Sequence, residues 1–89
     1  MSASLTTDEM IHRINDMLPE SANLIKFTYN PECFGNILVQ IKMNIEKHSF
    51  VTDRGEIYHN NRLLCNSSYC NETDVFTKLI EMIKNEICL

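Results

Sequence analysis

The chain has 89 residues, 44% of them hydrophobic and 22% charged, with a formal net charge of −4 at pH 7. That is the composition of one folded domain spanning residues 1–89, in which folding buries only about 60–65% of the unfolded surface. The eight basic residues form no stripe that would displace counterions from phosphates, which argues against direct nucleic-acid binding, and no apolar run approaches the ~18 residues that span a bilayer.

The opening "MSASLTTDEM" lacks the basic and apolar regions of a secretory signal, so a cytoplasmic setting is expected. Thr6 and Glu9 have the spacing of a capping box, with Leu5 and Met10 at staple positions around it. Met10, Ile11, Ile14, Met17 and Leu18 share one helical face, and Pro19 disfavours helix at the residue before it. A helix over about residues 7–18 follows. In "NLIKFTYN" the period switches to two, with Ile25, Phe27 and Tyr29 expected on one face. "PECFGN" is a turn by composition.

The run "ILVQIKMNI" alternates most clearly. Ile37, Val39, Ile41, Met43 and Ile45 are expected to face the core, and Gln40, Lys42, Asn44 and Glu46 the solvent. One wet face implies an antiparallel sheet, since a parallel strand is covered on both sides. "EKH" then separates this run from "SFVT"; "DRGE" and the Asn60–Asn61 pair read as tight turns around the short strands "EIYH" and "RLLC". The last helix is expected from Glu72 to Glu86, with Asn71 as its cap and Val75, Phe76, Leu79, Ile80, Ile83 and Ile87 at helical spacing. The fold class is therefore α+β: a two-layer sandwich of three to five antiparallel strands with both helices on one face.

"CNSSYCNETD" poses the main chemical question. In a cytoplasmic chain the sequons at Asn66 and Asn71 carry no glycan, and a persistent disulfide is disfavoured. Cys65 closes an apolar strand and Cys70 precedes the helix cap, where thiols pack as small hydrophobes. A zinc or redox site at Cys65 and Cys70, assisted by Cys33 or Cys88, is the alternative; the C-x4-C spacing lacks the second close pair that structural zinc uses. His12, His48 and His59 read as solvated or edge-packed. No nucleotide, zinc-hydrolase or nucleophile-elbow motif occurs, so neither catalysis nor a cofactor is expected.

Interaction is what remains. The turn-rich segment "TDRGEIYHNNR" gathers Asp53, Arg54, Glu56, Tyr58, His59 and Arg62, and Tyr and Arg are the types that anchor interfaces. Gln40 and Lys42 on the solvent face complete the candidate protein-binding set. A homodimer formed by pairing sheet edges is the other arrangement this layout offers.

The order helix–strands–helix in a short acidic chain resembles small phage-encoded inhibitors of host systems, anti-CRISPR proteins among them. The likeness covers the whole chain in layout and rests on no motif. It implies a stoichiometric inhibitor of a larger host or defence protein, working in a bacterial cytoplasm, and carries over no site residue. The abundance of Asn and Ile, with only two Gly and two Pro, suits the AT-rich genomes in which such phages occur.

Overall fold

The computed structural model describes residues 6–30, 32, 36–66 and 72–87; for Cys65, Asn66 and residues 72–74 it describes the backbone alone. Thr6 opens helix α1 (Thr7–Met17) with the reciprocal bonds its spacing predicts. Its Oγ1 accepts from the Glu9 amide at 3.1 Å, and its own amide donates to Glu9 Oε1 at 2.9 Å. Those bonds to Thr6, the backbone one foremost, hold the Glu9 carboxyl below its ordinary value. Leu18, before Pro19, is extended at φ −73° and ψ 141°, which stops the helix.

Five strands follow: β1 (Ala22–Asn30), β2 (Asn36–Met43), β3 (Glu46–Asp53), β4 (Glu56–His59) and β5 (Arg62–Asn66). Each pairs antiparallel with its chain neighbours, in the order β1-β2-β3-β4-β5. The turns explain this meander. Arg54 and Gly55 have φ of 53° and 91°, and Asn60 and Asn61 have 50° and 71°. Two consecutive positive φ values are the pattern whose twist matches that of the flanking strands. Asn60 does more: its amide donates to the Ser49 carbonyl and its Oδ1 accepts from the Ser49 amide, both at 2.8 Å.

Helix α2 (Glu72–Ile87) closes the chain. It lies against β3, while α1 lies against β1 and touches α2, so both helices cover one face of the sheet. Met10 and Ile14 from α1 and Phe76, Leu79 and Ile83 from α2 meet Ile37, Val39, Ile41, Phe50 and Ile57 of the sheet, all essentially without solvent contact. Burial of each such side chain is worth about 1.5–3 kcal/mol. Thr52 is also buried, and its Oγ1 accepts from the Ile37 amide at 2.9 Å where the β2–β3 ladder ends.

Three local expectations are corrected. Ile45 is not the last inward residue of β2 but half of a two-residue turn, 93% exposed, made possible because Asn44 takes φ 58°. Glu46, Lys47 and His48 do not separate two strands; they begin β3. Ile25 is not on the core face. A register shift between Leu24 and Lys26 leaves Ile25 48% exposed, so Ala22 and Leu24 before it and Phe27 and Tyr29 after it share the inner face. Leu5 of the expected staple, Pro31 and residues 33–35 of the expected turn with Cys33, and the cap at Asn71 lie outside the described residues.

Candidate functional site

Cross-strand partners in an antiparallel sheet lie on the same face, so the register maps the side left open by the helices. Its middle row runs across all the strands: Thr28, Leu38, Val51, Tyr58 and Leu63. Leu38, Val51 and Tyr58 are half-buried by their neighbours, and Leu63 is 47% exposed. The outer face is thus not purely polar, as the alternation in β2 implies. An apolar ridge crosses it.

Charge is divided on either side of that ridge. Toward one end Asp53 and Glu56 face each other across β3 and β4; toward the other Lys42 and Lys47 face each other across β2 and β3. Like charges directly opposite destabilise a sheet, and here each pair is exposed or nearly so. Arg54, in the turn beside the acidic end, approaches Asp53 at 4.0 Å. Lys26, Gln40 and Ser49 form a polar row between the ridge and the lysines. Tyr58 is fixed within the ridge: its hydroxyl donates to Glu56 Oε1 at 2.6 Å, and that bond pushes the phenol above its ordinary value.

Of the residues singled out from sequence, Asp53, Glu56, Tyr58, Gln40 and Lys42 therefore share the open face, with Arg54 at its rim. His59 and Arg62 do not. His59 is only 8% exposed and turns toward α2, and Arg62 Nη2 lies 3.8 Å from Glu86 of that helix. The histidine reading is corrected with it. His48 and His59 are neither solvated nor at an edge, because each continues the inward alternation of its strand, beside Phe50 and Ile57 respectively. Their rings meet at 2.8 Å, His48 Nδ1 to His59 Nε2. His12 alone is exposed, 3.3 Å from Asp16. The ridge residues Leu38, Val51 and Leu63 are the ones sequence reasoning missed; a second apolar position beside each inward one, as in "ILV" and "RLL", was the available signal.

Between the helices a cleft of about 210 Å³ is lined by Arg13, Met17, Phe76, Thr77, Ile80 and Lys84. That is below the ~300 Å³ at which small-molecule pockets begin. Among the described residues no three His, Cys, Asp or Glu side chains are grouped to hold a metal ion, and no helix is long and apolar enough to cross a membrane. Cys65 pairs with Ile57 in the β4–β5 ladder; Cys70 and Cys88 lie outside the described residues. No family model, curated protein or solved structure matches the chain.

Both edge strands carry a register shift, β1 at Leu24/Lys26 and the β4–β5 pair at Ile57/Tyr58. Shifts of this kind twist an edge away from further pairing.

Proposed function

We propose that this is a non-enzymatic binding module that docks the open face of its sheet on a larger protein and acts by occluding it. The observation that carries this reading is the ridge of Leu38, Val51, Tyr58 and Leu63 on the side that the helices leave uncovered. An interface needs such an apolar, aromatic centre inside a polar rim. A partner suited to the divided rim offers acidic groups opposite Lys42 and Lys47, and basic groups opposite Asp53 and Glu56. A partner that supplies both relieves two like-charge pairs as it docks. Occlusion of a host or defence protein is the mode of action that this small size and lack of catalytic motifs suit best.

The test uses the unmodified protein and a Leu38→Glu/Leu63→Glu variant as paired baits in a lysate of a low-GC bacterium. Lys78→Glu, on the exposed side of α2, serves as the control. We expect one protein to be retained by the unmodified and control baits, to form a 1:1 complex with each when purified, and to be lost by the ridge variant while its circular dichroism is unchanged. Retention by the ridge variant at equal affinity refutes the reading. So does light scattering that shows a dimer of this chain dissolved by the same substitutions, since the occupant of the face would then be a second copy.

A further inference from the structure

On the inner side of the sheet four polar groups and two ring contacts form a line. Glu46 Oε1 lies 3.5 Å from His48 Nε2; His48 Nδ1 lies 2.8 Å from His59 Nε2; His59 Nδ1 lies 3.4 Å from Glu86 Oε1. The two imidazole planes are within 7° of parallel and their centroids are 5.0 Å apart. With nitrogens at 2.8 Å, that separation places the rings edge to edge, as an N–H···N bond requires. Phe50 stacks on the His59 face at 4.6 Å and 15°, fixing the ring from above. The histidine side chains are only 14% and 10% exposed.

The protons in this line can be counted. A carboxylate only accepts hydrogen bonds, so the outer nitrogen of each ring, His48 Nε2 and His59 Nδ1, is matched to its glutamate as an N–H. The inner nitrogens would then oppose each other as two lone pairs. A third proton between them turns that repulsion into a bond. Three protons on four nitrogens amount to one positive charge on two imidazoles, set between two negative ones.

We propose that His48 and His59 form a single proton-binding site, an imidazole–imidazolium pair that holds one shared proton and fastens the last turn of α2 to the sheet through Glu86. A second proton between the rings would set N–H against N–H and open the contact; removal of the first keeps an N–H···N bond only if one ring changes tautomer and turns its lone pair on its glutamate. The charged groups facing the pair from the elements around it are Glu46 on β3, Arg62 on β5 and Glu86 on α2, and Arg62 lies 3.8 Å from the same Glu86 oxygen. Burial holds the His59 imidazole below its ordinary value; Glu86 opposes this, and His48 and Arg62 add to it.

The sign of the pH dependence follows. Unfolded, the two histidines are independent, with ordinary values near 6.5, and bind two protons well below that pH and none well above it. The folded pair binds one throughout the intervening range. On the acid side the unfolded chain binds more protons, so stability rises with pH; on the alkaline side the folded chain binds more, so stability falls. The pair's contribution is greatest between its two folded-state steps.

Long-range proton–nitrogen NMR of the imidazole rings tests this on the unmodified protein from about pH 4.5 to 9, with the exposed His12 as an internal reference. We expect the His48 and His59 nitrogens to shift together in two one-proton steps more than about one pH unit apart. In His59→Gln, the His48 nitrogens should collapse to a single step. Independent single-step titration of the two rings in the unmodified protein overturns the proposal, even if His59→Gln fails to fold. Zinc that displaces the inner-nitrogen signals at stoichiometric concentration overturns it as well, since the space between the rings would then be a metal seat.

Discussion

Exchanging Thr52 for valine tests whether one side-chain oxygen completes the sheet. The substitution keeps the branched shape and replaces a hydroxyl with a methyl. Thr52 is 1% exposed, and its Oγ1 is the acceptor for the Ile37 amide at 2.9 Å. In Thr52→Val that N–H stays in the interior without an acceptor, which costs about 1–3 kcal/mol. The added buried methyl returns at most about 0.8 kcal/mol. The expected net loss is roughly 1–2 kcal/mol, equivalent to ~5–15 °C in melting temperature for a domain of this length. Urea denaturation followed by circular dichroism should show a lower midpoint at unchanged slope. Hydrogen exchange at Ile37 should accelerate with it. An unchanged midpoint together with unchanged exchange at Ile37 would refute the account.

Four further substitutions address the helix cap and a turn. Thr6→Ala removes the Oγ1 that accepts from the Glu9 amide and should cost about 1 kcal/mol in a thermal melt. Because Glu9 is held below its ordinary 4.5 in the fold, its contribution is present above pH 4.5 and disappears as the pH falls through the lower folded value; Glu9→Gln should flatten that acid limb, and an unaltered limb would exclude Glu9 as its source. Asn61 holds φ 71°, so Asn61→Ala should destabilise by about 1–2 kcal/mol, whereas Asn61→Gly should be neutral or better. Equal melts for the two variants would show that the turn relaxes.

The elements that alternation or capping determine were legible in the sequence. Thr6 and Glu9 mark the start of α1, Ile37, Val39 and Ile41 mark the inner face of β2, and Asn60–Asn61 marks a hairpin. What escaped depends on where a strand turns or slips. Ile45 continues the β2 period, yet Asn44 accepts a left-handed conformation at low cost and ends the strand ahead of it. The extra residue at Ile25 reverses the phase of β1 without any change in composition. The candidate face was half legible. Lys42, Glu56 and Tyr58 were read as surface groups, but Leu38 and Leu63 adjoin apolar residues that face inward, and a run of like residues does not say which side each one takes. His48 and His59 are separated by eleven positions in the chain, and only the β3–β4 register brings them together.

The connectivity of the sheet has a kinetic consequence. Every strand bonds to the one made just before it, across no more than five residues of chain, so the entropy lost on closure stays small. Assembly can therefore proceed as a zipper from any one hairpin, with the two helices settling onto a surface already formed, and a chain of this topology should fold well ahead of the all-β proteins whose strands must find distant mates.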